Sequence, residues 1–270
     1  MDTVIIIPAR HASTRYPGKP LAMLKGAGGV SRSLLERSVI AGRRAVEEAG
    51  GGIGLYVATD DSRIADEARR IGAEVIMTSE SCRNGTERVA EAVANAGLAP
   101  EIVVNLQGDA PLTPPGFVTA LIRHMHARPE AGIATPVLRC DAESVRNFIA
   151  DRAAGRVGAT TVVSDRLGRA LYFSKEVIPF TNGRGVVDGA VPVFHHVGLY
   201  AYRPPALAAY TGWAPGPLES LEGLEQLRFL ENGHPVETVE VSAPGAKFWE
   251  LNNPSDVPLI EGYLAQMDWA

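Results

Sequence analysis

The chain has 270 residues, of which 46% are hydrophobic and 21% are charged, and its formal net charge is −5. These values are typical of a globular protein with a sizeable core, and the negative charge argues against broad nucleic-acid binding, which selects for a basic face. Cys82 and Cys140 lack the spacing of a zinc site or a disulfide framework. Because neither a signal peptide nor an apolar run of about 18 residues is visible, we expect a cytoplasmic protein that binds no membrane.

The first predicted element is a strand over residues 4–7, which Pro8 ends. Its unbroken run of β-branched side chains predicts a strand buried on both faces, as in a mostly parallel sheet. The loop that follows carries three cations, Arg10, Arg15 and Lys19, with small residues between them. Arginine, lysine and outward backbone N–H groups together suit a polyphosphate, although the loop lacks the Walker and dinucleotide-binding glycine patterns. The alternative is a basic surface loop without a ligand.

Helices and strands then alternate at short spacing. A helix is expected over residues 31–48, a strand over 54–61 that ends in acidic residues, a helix over 62–71 and a strand over 72–77. This alternation predicts a doubly wound parallel sheet. Asp60 or Asp61 is the expected cap of the second helix, because each directly precedes it.

The segment 82–88 leads into another helix and contains Asn84, Gly85 and Thr86 in sequence. An Asn-Gly pair marks a turn, and Thr86 can cap the helix. A helix N-terminus with neighbouring Arg and Asn side chains is also suited to binding a polar ring or a phosphate. Both interpretations stay open at this point.

The next strand, over residues 102–106, runs into Gln107, Gly108 and Asp109 and is stopped by Pro111. In open α/β sheets ligands bind beyond the carboxyl ends of the strands, so Asp109 lies where a carboxylate can hold a metal ion. Mg²⁺ often uses one or two carboxylates and takes its other ligands from substrate phosphates. The alternative role of Asp109 is a helix cap, which the prolines that follow disfavour.

Between residues 133 and 203 short extended runs alternate with turn residues, which predicts antiparallel strands in a lobe added to the core. No linker marks a domain boundary. The His195-His196 pair has no carboxylates near it in the sequence and is weak evidence for a metal site. The stretch 217–230 is predicted to be one amphipathic helix whose acids mostly face solvent, and a last strand is expected over 236–241.

Several of these segments are characteristic in combination. They are IPARHASTRYPGKP at residues 7–20, ATD at 58–60, NGTER at 84–88, NLQGDAP at 105–111, ALYFS at 170–174, HVGLY at 196–200, PLE at 217–219 and LEQLR at 224–228. In this order and at these distances the chain resembles the sugar-acid cytidylyltransferases over nearly its whole length. Within that group it looks most like the 3-deoxy-manno-octulosonate (Kdo) cytidylyltransferases.

The resemblance implies an α/β fold with a mostly parallel, Rossmann-like sheet of the nucleotide-diphospho-sugar transferase type and a small additional mixed-sheet lobe. It implies one cytidylyltransferase domain over residues 1–270, in which residues 133–203 form an inserted lobe for acceptor binding and dimerisation. A homodimer is therefore expected.

The resemblance also implies Mg²⁺-dependent transfer of CMP from CTP to Kdo, a step of lipopolysaccharide biosynthesis, with release of pyrophosphate. The catalytic residues would be Arg10, Arg15, Lys19 and Asp109. The nucleotide would be bound by Ala9, Ala12, Ser13, Asn84, Gly85, Thr86, Arg88 and Gln107. The small acidic acceptor would be bound by His196, Tyr200, Glu225 and Gln226. The metal ligands would be Asp109 and Asn252.

Three positions depart from the family pattern. Asn252 stands where such enzymes usually have a second aspartate as metal ligand, which leaves open a nucleotide-binding regulator without catalysis. Thr161 stands in place of a lysine, and the stretch 179–183 differs from the family's P-W-D-R-D. Because the last two departures lie on the acceptor side, the acceptor could be another small acid, such as an amino-substituted Kdo, a sialic-type acid or a phosphonate.

Overall fold

The computed structural model describes residues 2–12, 15–156, 159–182, 191–242 and 249–267. The chain divides into two compact units, a first unit of Met1–Ile122 with Ala243–Ala270 and a second unit of Arg123–Ser242. The inserted lobe expected at residues 133–203 lies within the second unit. The organisation as a single domain with an insertion stays a prediction.

The described strands are β1 (Thr3–Ala9), β2 (Met23–Lys25), β3 (Ser31–Ser33), β4 (Gly54–Thr59), β5 (Glu74–Met77), β6 (Ile102–Leu106), β7 (Ile133–Arg139), β8 (Thr161–Ser164), β9 (Ala170–Ser174), β10 (Phe194–His196), β11 (Leu199–Tyr202) and β12 (Glu237–Val241). The described helices are α1 (Leu34–Glu48), α2 (Ser62–Arg70), α3 (Gly85–Asn95), α4 (Pro115–Ala127), α5 (Ala142–Ala153), α6 (Pro204–Gly212), α7 (Pro217–Glu222), α8 (Leu227–Glu231) and α9 (Val257–Leu264). None of these helices is both long enough and apolar enough to cross a bilayer.

In the first unit four strands pair in parallel in the order β5-β4-β1-β6. Every residue of β1 is buried, because strands flank both of its edges and helices connect the strands. Parallel pairing brings the carboxyl ends of β1, β4 and β6 to one edge of the sheet. Strands β2 and β3 form a separate antiparallel ribbon.

Polar side chains set the starts of the first three helices. Ser33 Oγ accepts from Glu36 N at 3.1 Å at the start of α1, and Asp61 Oδ1 accepts from Arg63 N at 2.9 Å at the start of α2. Of the two aspartates expected to cap α2, the cap is therefore Asp61.

The cap of α3 is Asn84, whose Oδ1 accepts from Glu87 N at 2.9 Å. The prediction that Thr86 caps this helix is wrong. Asn84 has the extended backbone that a capping residue needs, whereas Thr86 lies inside the first turn and is buried.

The C-terminal segment belongs to the first unit. Its fully buried residues pack in one apolar cluster with residues of β2, α1 and the loop after β6: Leu24, Leu34, Leu112, Leu251, Ile260 and Leu264. This cluster places the segment that starts at residue 249 in the same unit as the cationic loop.

The second unit contains a mixed sheet around β7. Strands β10 and β11 pair with β7 antiparallel, and β12 pairs with it in parallel. The sheet continues from β10 to β8 and β9, again antiparallel. The predictions of an α/β fold, of a parallel sheet and of an additional lobe with antiparallel strands are therefore confirmed.

The amphipathic stretch after residue 216 is two helices, α7 and α8, and not one. Gly223 ends α7 in a left-handed conformation, with φ of 62°. Glu219 on α7 forms a buried, two-pronged ion pair with Arg228 on α8, with both N···O distances at 2.6 Å. The prediction of a single helix is wrong. Glu219 is an exception to the acids predicted to face solvent, because the turn at Gly223 folds α7 back onto α8.

Candidate active site

The cationic loop after β1 is closed by backbone hydrogen bonds. Gly18 N donates to His11 O at 3.0 Å, and Lys19 N donates to Tyr16 O at 3.2 Å. A short 3-10 turn over Lys19–Leu21 then leads to β2. These bonds hold the part of the loop from which the Arg15 and Lys19 side chains extend.

Lys19 contacts Asp109 directly. Its Nζ lies 2.7 Å from Asp109 Oδ2, and the two side chains are 13% and 30% exposed. The contact requires the end of β6 to lie close to β1, and Gly108 makes this approach possible, since a Cβ there would be 2.7 Å from Pro8 O. Ser38 Oγ adds a hydrogen bond of 3.2 Å to Gly108 O. Lys19 of the cationic loop and Asp109 after β6 thus form an ion pair.

The C-terminal segment supplies the other side of this cluster. Leu251 N donates to Asp109 O at 2.8 Å, and Arg15 Nη2 donates to Asn252 Oδ1 at 2.9 Å. Asp256 holds the segment in turn, because its Oδ2 accepts from Asn252 N at 2.9 Å and from Asn253 N at 2.7 Å. Arg15, Lys19, Asp109 and Asn252 therefore lie together in the first unit.

Glu250 also belongs to this cluster, and the sequence analysis did not identify it. Its partly buried carboxyl group is hydrogen bonded to the Asn252 side chain. Burial, with the negative charge of Asp109, raises the pKa of Glu250 to about 7, while the charges of Lys19 and Arg15 act in the opposite direction. The sequence shows only that Glu250 lies two positions before Asn252. That spacing does not reveal how far the Glu250 carboxyl group is from Asp109.

The donor set of this cluster fits a magnesium ion. No group of three or more His, Cys, Asp and Glu side chains in the described parts of the chain is arranged to hold a metal ion. Asp109, Glu250 and Asn252 nevertheless present two carboxylates and an amide. Hard oxygen ligands in this number are what Mg²⁺ uses when substrate phosphates complete its coordination.

The other predicted residues of the loop have different surroundings where the structure describes them. Arg10 Nη1 donates to Arg83 O at 3.3 Å, on the segment before α3. Ala9 ends β1 and is buried, whereas Ala12 is exposed. Ser13 lies outside the described residues.

A second group of predicted residues meets at the N-terminus of α3. A Cβ at Gly85 would lie 2.8 Å from Gln107 Nε2 and 3.3 Å from Asn105 Nδ2, so the start of the helix is in close contact with the end of β6. Asn105 is fully buried, and its amide has no hydrogen-bond partner among the residues that the structure describes. Asn105 is a second polar residue beside the predicted base pocket that the sequence analysis did not identify.

Arg88, which the family resemblance assigns to nucleotide binding, makes contacts inside the protein. It is buried, its Nη1 donates to Thr78 Oγ1 at 2.5 Å, and the same atom is 3.3 Å from Asp60 Oδ1. These contacts tie α3 to the ends of β4 and β5. They explain why Asp60, next to the helix cap Asp61, faces inward.

The residues expected to bind the acceptor lie in the second unit. Tyr200 OH donates to Gln226 Oε1 at 3.1 Å, and both residues are buried. His196 Nε2 lies 2.9 Å from Thr135 Oγ1. Burial, with a smaller contribution from His195, lowers the pKa of His196 to about 3, so its ring is neutral near pH 7. Glu225 is only partly buried.

Comparisons with known proteins agree with this arrangement. A family model described as Cytidylyltransferase matches residues 4–240. The chain is 40% identical to a 3-deoxy-manno-octulosonate cytidylyltransferase of Maricaulis maris, over 98% of both chains. It is 36% identical to a protein of the same name from Chlamydia abortus, over 96% of this chain and 92% of that protein.

A solved structure of a CMP:2-keto-3-deoxy-manno-octonic acid synthetase complexed with CTP superposes with a TM-score of 0.81 at 31% identity, and covers 98% of this chain and 99% of that one. The parallel sheet, the strand-end cluster and these matches define a nucleotidyltransferase. The chain belongs to the cytidylyltransferase family, and the resemblance to the Kdo cytidylyltransferases predicted from its motifs is confirmed.

Proposed function

We propose that the protein transfers CMP from CTP to Kdo, with release of pyrophosphate and with Mg²⁺ as cofactor. The observation that carries the proposal is the meeting of Lys19, Asp109, Arg15 and Asn252 in one cluster, in a chain whose relatives are named Kdo cytidylyltransferases. This cluster has the charges that a triphosphate and its cation require.

In the proposed reaction a hydroxyl oxygen of the acceptor attacks the α-phosphorus of CTP. A new P–O bond forms as the bond to the bridging oxygen of the β-phosphate breaks, pyrophosphate leaves with that electron pair, and the acceptor proton passes to solvent. The protein contributes mainly by orienting the reactants and neutralising charge. Arg10, Arg15 and Lys19 would hold the β- and γ-phosphates and stabilise the pyrophosphate as it leaves.

Asp109 and Asn252 would hold Mg²⁺, which, when bound, polarises the phosphate oxygens as a Lewis acid. In the substrate-free protein Lys19 neutralises Asp109. CTP would offer Lys19 the more strongly charged triphosphate oxygens. Until then the Lys19–Asp109 pair keeps both side chains near their positions of use.

The cytosine and ribose would be bound where α3 begins beside the end of β6. Gln107 and Asn84 offer amide groups that can match the donors and acceptors of a cytosine edge. Asn105 lies two positions before Gln107, and its side chain reaches the same helix start, since a Cβ at Gly85 would lie 3.3 Å from Asn105 Nδ2.

One observation favours the alternative of another acceptor acid. Thr161, where the family carries a lysine, is fully buried; its Oγ1 donates to Glu176 O at 2.6 Å and accepts from Ile178 N at 3.1 Å. A hydroxyl tied to the backbone supplies no positive charge for the carboxylate of an acceptor. An amino-substituted Kdo, a sialic-type acid or a phosphonate is therefore the second candidate.

The test is release of pyrophosphate from CTP with Kdo and with each alternative acid, in Mg²⁺ and in EDTA. We expect turnover of Kdo in Mg²⁺ and at least about a hundredfold loss of kcat in Asp109→Ala, because the phosphate charge is no longer neutralised. Asp66→Ala on the exposed face of α2 is the matched control. Turnover of another acid without turnover of Kdo would select the alternative, and CTP binding without any turnover would indicate the regulator.

We also propose a homodimer, as the family resemblance implies. Light scattering coupled to size exclusion would give the mass of the particle in solution, and a monomer at micromolar concentration would contradict the proposal. Residence in the cytoplasm stays a prediction.

A further inference from the structure

Asn105 is the one polar side chain of β6, and it is fully buried. Neither end of its amide has a hydrogen-bond partner among the residues that the structure describes. An asparagine amide offers two donor hydrogens and two lone pairs, and burying such a group unpaired costs free energy. The packing of the sheet therefore gives no reason for an amide at this position, since an apolar side chain of similar size would avoid that cost.

The unpaired amide of Asn105 lies beside the amide of Gln107 at the start of α3. A Cβ at Gly85 would be 3.3 Å from Asn105 Nδ2, 2.8 Å from Gln107 Nε2 and 3.2 Å from Gln107 Oε1. Both amides therefore reach the same point, which glycine leaves free of a side chain. Asn105 is thus placed to act on the orientation of the Gln107 amide, the group proposed to contact the base.

The orientation of the Gln107 amide decides which base it can pair with. Cytosine presents an amino donor at C4 and an acceptor at N3, whereas uracil presents an acceptor at C4 and a donor at N3. A glutamine amide can match either edge, because a half-turn about its last torsion exchanges its oxygen and its nitrogen. An amide that turns freely binds CTP and UTP alike, so discrimination requires a group that holds one orientation.

Asn105 offers a group that can hold the orientation for cytosine. Its Nδ2 is the end of the amide nearest to the start of α3, and a donor at this place is matched by Gln107 Oε1. The second lone pair of Oε1 can then accept from the amino group of cytosine, while Gln107 Nε2 donates to N3. With uracil the same orientation sets acceptor against acceptor and donor against donor, which disfavours UTP.

We propose that Asn105 is a positioning residue, which donates from Nδ2 to Gln107 Oε1 in the nucleotide complex and thereby selects CTP over UTP. Asn105 can act in this way only if Gln107 contacts the base, as the proposed function requires. The role also accounts for the missing partner in the substrate-free protein, because the Asn105 amide is paired once the nucleotide fixes Gln107.

Nucleotide affinity tests this role separately from catalysis. Dissociation constants of CTP and UTP are measured by isothermal titration calorimetry, with Mg²⁺ and without an acceptor, for the wild type and for Asn105→Leu. We expect the wild type to bind CTP more tightly than UTP. The ratio of the two constants should shrink at least about tenfold in Asn105→Leu, because Gln107 is then free to turn toward either base.

Thermal unfolding of the substrate-free variants separates positioning from a structural role. Because the Asn105 amide has no bond to lose, Asn105→Leu should have a Tm no lower than that of the wild type. The matched control is Val103→Ala, at a fully buried position on the same face of β6. It leaves a cavity and should lower Tm without changing the preference for CTP.

An unchanged ratio of CTP to UTP affinity in Asn105→Leu would overturn the role, and a lower Tm with it would mark a structural residue held by buried water. A wild type that does not bind CTP more tightly than UTP would also overturn it. If Asn105→Leu does not fold, Asn105→Ala removes the amide without adding bulk and should show the same loss of preference. Failure of the proposed function is seen instead as missing pyrophosphate release with Kdo in a wild type that still prefers CTP.

Discussion

At the scale of single residues, two glycines allow the strand-end cluster and the proposed base pocket to form. Gly108 lets the backbone of β6 approach Pro8 O, and Gly85 lets the start of α3 lie against Gln107. The two cases differ in what a methyl group would meet. At Gly108 it would meet backbone, which cannot move, whereas at Gly85 it would meet the end of a flexible side chain.

We therefore expect Gly85→Ala to fold but to bind CTP less well. The new Cβ would lie 2.8 Å from Gln107 Nε2, so the Gln107 amide must move away from the nucleotide. A displacement of this size should raise KM for CTP by about tenfold or more, with a smaller effect on kcat. Steady-state kinetics at saturating acceptor would measure both.

The matched control is Gly116→Ala in the first turn of α4, where a Cβ meets nothing within 4 Å. Equal KM values for CTP in the two variants would contradict the proposal that Gln107 binds the nucleotide.

At the scale of elements, hydrogen bonds between near neighbours explain where three helices begin. They do not explain which helices pack together. Ser33, Asp61 and Asn84 cap three helices through bonds to backbone N–H groups two or three residues later. The pairing of α7 with α8 depends instead on Glu219 and Arg228, whose guanidinium also lies over the Tyr210 ring at 4.1 Å.

We expect Glu219→Ala to lower the free energy of unfolding by about 3–5 kcal/mol, because it leaves the buried Arg228 charge unpaired. Urea unfolding followed by circular dichroism would measure the loss. Glu240→Ala breaks the ion pair with Arg139, which has similar geometry but is exposed, and it should cost at most about 1 kcal/mol. Equal losses in the two variants would mean that burial does not determine the strength of the Glu219–Arg228 pair.

At the scale of the whole molecule, the first unit is made from two distant parts of the chain. Residues of α9 and the segment before it complete the apolar cluster that contains Leu24, Leu34 and Leu112. The same segment carries Glu250 and Asn252, so the stability of the first unit and the geometry of the candidate site depend on the same packing.

We expect Ile260→Ala to lower the free energy of unfolding by about 2–5 kcal/mol, since it leaves a cavity in this fully buried cluster. Leu259→Ala, at the neighbouring position and 39% exposed, should cost well under half as much. Urea unfolding of the two variants under identical conditions measures the difference. If Ile260→Ala lowered the free energy of unfolding no more than Leu259→Ala, the packing of α9 would contribute little to the stability of the first unit.

The sequence by itself determined the alternating strands and helices of the parallel sheet, the antiparallel lobe and the family. The β-branched run of β1, the alternation of strands and helices, and the motifs around Lys19 and Asp109 depend on contacts with near neighbours or on residue order, and both are visible in one dimension. The structure confirmed the parallel sheet and the antiparallel lobe, which were both predicted from such local patterns.

Only the tertiary structure decided which distant side chains meet. Arg15 and Asn252 are 237 positions apart and hydrogen bonded, and Leu251 N reaches Asp109 O only because the C-terminal segment packs into the first unit. The burial of Glu219 likewise depends on the turn at Gly223. Local patterns record which face of an element is apolar, but the partner of a polar side chain is set by the path of the whole chain, which no window of neighbouring residues contains.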